Sequence, residues 1–420
     1  MAGQTPDASS EPIVIPPLIR RNTLLLALAQ AVVGAGFQLL PALGAITVVE
    51  LLGNTTWAGI ATALAGLARM LTAYPVGRLS DAQGRRAGLY LGLGLAIGGA
   101  VLTGFAVMGS SFWLFAAGIL VFGAGVGATQ QLRVAAADMY PPARRSEGIS
   151  LVLMGSLVGA GLSPILVWLA QRLGPEFGQS PLSLVWFLVP PFILPALILL
   201  TRLRPDPKQI AQNLASYYPN LPAARAAGGG RRSSRRALYA ATWTGVAAQG
   251  QMVMLMAMTS LALRHQGCSF ELISVSVAIH VIGMFGLSWF VGKLADTYGR
   301  KPVMLTGLLL SGLGAVLVAT SPEYLVITLG TFLVGLGWSG AYVGATTLVT
   351  DVTAPGERGR AVGRLDLWSN GAGAVLPILA GFLVEGVGIW AIGLAGVGIL
   401  IYPLWLVFLL GEEGPGVYSS

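Results

Sequence analysis

Apolar residues come in long runs along almost the whole chain, and a few polar residues close each run before the next begins. An α-helix rises about 1.5 Å per residue, so about 20 such residues cross the hydrocarbon core of a bilayer. The pattern predicts twelve spanning helices, six at 23–48, 56–76, 87–108, 112–137, 149–169 and 184–203, and six at 238–263, 270–291, 302–319, 325–350, 362–384 and 389–410. Pro190, Pro191 and Pro195 remove backbone donors from the sixth segment and predict a kink there. Between the two sets the character changes. Residues 204–236 hold Pro205, Pro207, Gly228-Gly229-Gly230 and Arg231-Arg232-Ser233-Ser234-Arg235-Arg236, the composition of a flexible basic linker. With polar tails at 1–22 and 412–420, the chain divides into six-helix units at 23–203 and 237–411.

The polar interruptions repeat. Gly77-Arg78-Leu79-Ser80-Asp81-Ala82-Gln83-Gly84-Arg85-Arg86 returns as Gly292-Lys293-Leu294-Ala295-Asp296-Thr297-Tyr298-Gly299-Arg300-Lys301, an offset of about 215 residues. Asp138, Pro142 and Arg145 return at nearly the same offset as Asp351, Pro355 and Arg358. Two similar halves built from apolar helices are the mark of a transporter with internal symmetry. Gly84 and Gly299 permit backbone angles that a side chain would penalise, as a reversal in so few residues requires. Asp81 and Asp296 sit where a carboxylate meets the partial positive charge of a neighbouring helix N-terminus.

These paired motifs resemble the loop between helices 2 and 3, and its partner between helices 8 and 9, of the major facilitator superfamily. The resemblance covers nearly the whole chain. It implies an all-α membrane protein of twelve transmembrane helices, in two six-helix bundles related by a pseudo-twofold axis and working by alternating access. It also implies that Gly77, Asp81, Gly84 and Arg85, with Gly292, Asp296, Gly299 and Arg300, latch and release the bundles. The plainer alternative is that these loops only anchor the topology.

Composition agrees with lipid as the surrounding partner. Charged residues make up 10% of the chain and hydrophobic ones 55%, where a soluble domain carries about 25% charge. The net charge of +8 raises the question of nucleic acid, and the placement of the basic residues answers it. All Lys and Arg except Arg69, Arg133, Arg172 and Arg264 fall in, or within three residues of, the N-terminal tail, the even-numbered loops or the linker. By the positive-inside rule that puts both termini in the cytoplasm, in a cytoplasmic (inner) membrane. Nucleic acid is not expected as a partner, and the chain is expected to be a monomer. Cys268 stands alone and forms no internal disulfide. The N-terminus lacks a cleavable signal pattern, so the first helix is expected to serve as its own signal. No nucleophile–base pair, phosphate loop or closed metal site is written in the sequence, so neither an enzyme nor a resident cofactor is expected.

Polar residues inside spans are site candidates because lipid penalises them. Arg69 stands in the second segment, Gln30 and Gln38 in the first, Gln249 and Gln251 in the seventh, Asn370 in the eleventh. Trp338 and Tyr342, four apart in the tenth, could stack on an organic substrate. Arg133 is expected near Asp138 or Asp81. The acidic residues all fall near predicted helix ends or outside the spans, with Glu50, Glu271 and Asp366 at the margin. Drug exporters of the superfamily carry an Arg in mid-helix 4, where this chain has Ile119. Their Gly-Pro motif in helix 5 is only partly echoed by Gly155, Gly159, Gly161, Ser163 and Pro164, which weakens the exporter resemblance.

The seventh and eighth segments hold five of the chain's 11 Met and one of its two His. Met252 and Met256 share a helix face, as do His280 and Met284. Folding back near Cys268 would set the two pairs at matching depth, and thioether with imidazole suits Cu(I). These pairs look like the motif of the CcoA-like copper importers, which implies a transient copper path through Met252, Met256, His280 and Met284. Methionine is equally a flexible filler, or an adaptable lining for organic ligands. A buried histidine often just bonds a neighbouring helix. Two substrate classes therefore stay open: copper, or a small organic solute or drug.

Overall fold

The computed structural model describes residues 13–53, 60–218, 234–265, 268, 270–387 and 390–411. Twelve helices carry the fold. The first half holds α1 (Pro17–Leu52), α2 (Ile60–Gln83), α3 (Arg85–Met108), α4 (Phe112–Thr129, resuming after Gln130 as Gln131–Met139), α5 (Arg145–Leu173) and α6 (Pro181–Arg202). The second holds α7 (Arg235–His265), α8 (Phe270–Val281, a π turn at Ile282–Gly286, then Ser288–Tyr298), α9 (Arg300–Thr320), α10 (Tyr324–Asp351), α11 (Arg358–Val387) and α12 (Trp390–Phe408). Nine helical spans among the described residues are long and apolar enough to cross a membrane. Large apolar side chains such as Leu309 and Ile401 are exposed at about mid-span. Water would penalise that surface and lipid does not.

Each half encloses its own apolar core, one around Phe115, Phe122 and Trp186, the other around Met304, Leu308 and Trp338. The halves meet where α2 lies along α11 and α5 along α8. Close approach there depends on missing side chains. A Cβ on Gly77 would run into the Gly359 carbonyl oxygen of α11, and one on Gly292 into Ser146 and Ser150 of α5. Small residues let helix backbones approach in the same way throughout membrane bundles.

The helices overrun their expected ends. Both polar islands are helical: α2 continues to Gln83 and α8 to Tyr298, and only Gly84 (φ 100°) and Gly299 (φ 97°) separate them from α3 and α9. An L side chain is strained at such angles, so one glycine makes each whole turn. The expected N-terminal tail is also shorter. α1 begins at Pro17, Ile15 and Ile19 are buried, and the Ile13 carbonyl accepts from Arg144 Nη1 at 2.6 Å.

The linker differs most from expectation. Its first part folds onto the first half as two short helices, Pro207–Gln212 and Leu214–Tyr217. Ile210, Leu214 and Tyr218 are buried in that half's core, and the Tyr218 hydroxyl donates to the Met139 carbonyl at 2.9 Å. Burial pushes the Tyr218 phenol well above its ordinary range. Asp206 accepts from the backbone N–H groups of Arg85 and Arg86, both at 3.1 Å, and so caps α3 in place of the glycine before it. Lys208 Nζ reaches the Asp81 carbonyl at the other side of the same turn. The Gly228–Gly230 run, most of the arginine cluster and the tail at 412–420 lie outside the described residues.

Candidate functional site

The repeated motif builds a charge network that crosses between the halves in two matching sets of contacts. Asp81 at the end of α2 accepts from the backbone N–H groups of Gly359 (2.9 Å) and Arg360 (2.7 Å), at the N-terminus of α11. Asp296 at the end of α8 accepts from Ser146 (3.2 Å) and Glu147 (2.9 Å), at the N-terminus of α5. Free amides and the dipole make such an end a natural seat for a carboxylate. Arg85 holds Asp81 at 2.7 Å and Asp138 at 2.6 Å, and donates to the Pro355 carbonyl across the seam at 3.2 Å. Arg300 repeats this on Asp296 (2.9 Å), Asp351 (3.0 Å) and the Pro142 carbonyl. Arg358 then crosses to Asp138 at 2.9 Å, and Arg145 to Asp351 at 2.7 Å. Asp138 and Asp351 thus each hold one arginine from their own half and one from the other. This end of the molecule, called here the basic face, is tied shut by the set.

Deeper along the seam lies a second constellation. The short second piece of α4 carries Arg133, whose guanidinium pairs with Asp366 of α11. Tyr342 of α10 donates to the same carboxylate oxygen at 2.9 Å, and its ring lies 4.8 Å beneath the Arg133 guanidinium. Trp338 stacks on Tyr342 with centroids 4.6 Å apart and planes 17° off parallel. Trp338 Nε1 donates to Gln249 Oε1 of α7 at 2.9 Å, and Phe285 meets the indole edge-on. Gln130, at the break in α4, accepts from Arg133 Nη1 at 2.7 Å. Counting along helices, Arg133 sits about 8 Å inward of Asp138, and Asp366 about 12 Å inward of Arg358.

This changes several expectations. Arg133 pairs with neither Asp138 nor Asp81, because those carboxylates are already held by Arg85 and Arg358. Asp366 is no helix-end residue: α11 begins at Arg358, two turns earlier, and the side chain is 2% exposed. Trp338 and Tyr342 stack on one another, and Gln249 joins them. Asn370 bonds the Asp366 carbonyl one turn back. Gln251 turns away to Ser311 of α9, and Gln30 bonds Ser156 of α5. Arg69 is half-buried on α2, with its Nε on the Ala65 carbonyl at 3.3 Å and Tyr342 within electrostatic reach. The side chains of Gln38 and Met258 lie outside the described residues.

Met252 and Met284 are buried in the second half's core, and Met256 packs against it. His280 is 3% exposed, and its Nδ1 lies 2.7 Å from the Thr331 carbonyl of α10. The π turn just beyond it carries Met284, and Gly283 there lets α8 approach α10 at Phe332. α7 packs chiefly on α10, α11 and α12, whereas α8 packs on α10 and α5. The two helices of the predicted hairpin are thus mainly separated neighbours of α10.

Residues 26–263 and 240–419 match the model of the Major Facilitator Superfamily, which covers both halves. The chain belongs to that superfamily. It is 29% identical over 389 residues to YdeG, an uncharacterized MFS-type transporter of Bacillus subtilis, with 91% of this chain and 90% of the relative covered. It is 27% identical to the riboflavin transporter RfnT of Brucella anthropi, over 88% of this chain and 90% of that one. Among solved structures, the human organic anion transporter MFSD10 superposes with a TM-score of 0.73 at 18% identity, covering 93% of this chain and all of that chain. The fucose:proton symporter FucP of Escherichia coli gives 0.70 at 14%, covering 93% and 98%. The last two likenesses establish the fold, two six-helix bundles.

Proposed function

We propose that this superfamily transporter carries a small, flat organic solute by alternating access, binding it at Trp338, Tyr342, Gln249 and Arg133. The observation that carries the reading is the stacked Trp338–Tyr342 pair under a guanidinium, at the seam where the halves must part. Aromatic faces stack on planar ligands, and a cation over a ring gains from its quadrupole. Cargo of the relatives points the same way: one is named for riboflavin and a fold neighbour for organic anions. The basic face is the cytoplasmic one by the positive-inside rule, with both termini on that side of a cytoplasmic membrane. The structure then corresponds to the state closed toward the cytoplasm. Its latch is the paired Asp81 and Asp296 network.

Copper import is the weaker reading. The methionines serve the apolar core and His280 engages α10, which is what packing requires. The test is uptake into proteoliposomes of riboflavin, of the flat anion naphthalenesulfonate and of radioactive copper, each supplied alone. One of the organic probes should enter. Trp338→Ala should lower its uptake about fivefold or more, the scale of a lost stacking partner worth about 1 kcal/mol. His280→Ala should leave it unchanged. Copper uptake that disappears in His280→Ala, with neither organic probe entering, would reverse the assignment.

A further inference from the structure

We infer that Arg133 and Asp366 form a coupling site, where a proton on Asp366 and an organic monoanion on Arg133 together replace the ion pair. This chain is on that basis a proton–monoanion symporter. The inference rests on the binding site proposed above and adds its coupling ion and the charge of its cargo.

The pair stands outside the duplicated machinery. At the offset that relates Asp138 to Asp351, Arg133 falls on Thr346 and Asp366 on Leu153. The latch needs both copies of its charges, and this pair exists once. A bilateral structural role does not explain it. Its side chains are 1% and 2% exposed, and it bridges α4 of one half to α11 of the other. Parting the halves along this seam must separate the two charges.

Neither ion tolerates separation in a low-dielectric seam without a replacement partner. For Asp366 the replacement is a proton, which neutralises the carboxylate. For Arg133, which stays charged at any accessible pH, it is an anion. The guanidinium has an unused donor for one. Arg133 Nη2 goes to Asp366 and Nη1 to Gln130, while its buried Nε has no partner among the described residues. Cargo seated on the Trp338–Tyr342 stack lies under that same guanidinium.

The exchange balances. The carboxylate takes up one proton to become the acid, the N–H donors of Arg133 turn from carboxylate to the bound anion, and the seam's net charge is unchanged. A cation would satisfy Asp366 and strand Arg133. A neutral solute would leave both ions in need of partners. Among the described residues, the groups facing the Asp366 carboxylate are Arg133 from α4 and the Tyr342 hydroxyl from α10, with Asn370 on the Asp366 backbone carbonyl and Arg69 of α2 within reach of Tyr342. None of these is a second carboxylate that would take the proton instead.

The full-length protein in proteoliposomes, with a pH-sensitive dye trapped inside, tests this with naphthalenesulfonate, permanently a monoanion, and neutral riboflavin. Naphthalenesulfonate entry should acidify the lumen by one proton per anion, at a rate that a potassium–valinomycin potential does not change. Anion entry without acidification, or entry driven by the potential, overturns the coupling. So does transport of riboflavin while naphthalenesulfonate is ignored. If neither probe binds or crosses, the binding site itself is wrong and the coupling falls with it. Binding, read from tryptophan fluorescence, adds an independent check. Wherever Asp366 is ionised in the empty protein, wild-type affinity for the anion should fall about tenfold per pH unit, the slope of one linked proton. Asp366→Asn should make it pH-independent, and persistent pH dependence in that variant overturns the assignment. Arg133→Gln should weaken anion binding more than tenfold at every pH. Should either variant fail to fold, the wild-type proton count decides.

Discussion

Asp138 is fully buried and holds two guanidinium groups, Arg85 from its own half and Arg358 from the other. Replacing it by Asn leaves both cations short of charge in a seam that admits little water. Breaking a buried pair from one side typically costs about 3–5 kcal/mol. Asp138→Asn should therefore lower the thermal midpoint of the purified protein sharply, and Asp351→Asn should do so comparably, since Arg300 and Arg145 surround it in the same way. At this scale the sequence was unevenly legible. The contacts of the repeated motif follow from its spacing, because paired positions have paired neighbours. Asp366 was hidden by a boundary. With the eleventh helix begun at Val362 it looks like a terminal residue, whereas a start at Arg358 sets it two turns inside. The repeat held that information, for α5 begins at Arg145, the counterpart of Arg358. The partner of Arg133 was not readable, since only the fold brings α4 against α11.

The helices themselves differ from their hydropathy in one consistent way. Apolar runs end where the membrane does, but α2, α8 and α11 continue into polar sequence, because their ends bond to helix termini of the other half. The α2–α3 turn is the clearest case. Gly84 makes it and cannot cap it, so Asp206 is brought in from the linker. Losing an N-cap side chain costs about 1 kcal/mol, up to about 2. Asp206→Ala should lower the unfolding free energy by that much and the thermal midpoint with it, and Asp206→Asn, which keeps an accepting oxygen, should lower both by less. Composition marked 204–236 as linker because Pro, Gly and Arg dominate it. It could not reveal that Ile210, Leu214 and Tyr218 recur at the spacing of one short helix face and supply an apolar foot.

Across the whole molecule, the Asp81 and Asp296 contacts and the glycine seams act on one variable, the closure of the basic face. Tyr74 and Arg364 meet across α2 and α11, with the guanidinium 5.4 Å from the ring. With Cys268 replaced by Ser, cysteines at those two positions should cross-link readily. Gly77→Leu should lower the yield several-fold, because its side chain has only the Gly359 backbone to occupy. Asp81→Ala and Asp296→Ala should each lower it, and together more than either alone. A yield unaffected by all three would mean the network anchors topology and does not hold the gate. Twelve spans, two halves and the repeated loops were legible at this scale, since hydropathy and repetition are properties of the chain. The Arg133–Asp366 pair was not.

The docked strap after α6 decides where this polypeptide can be divided. A gene interrupted at codon 204 would hand Asp206, Lys208 and the Tyr218 foot to the wrong fragment. The first product would then lack the piece that covers its own turn. Interruption just after Tyr218 keeps the strap with the half it covers. Two co-expressed polypeptides broken there should recombine into a working carrier, and those broken at 204 should be degraded as orphans.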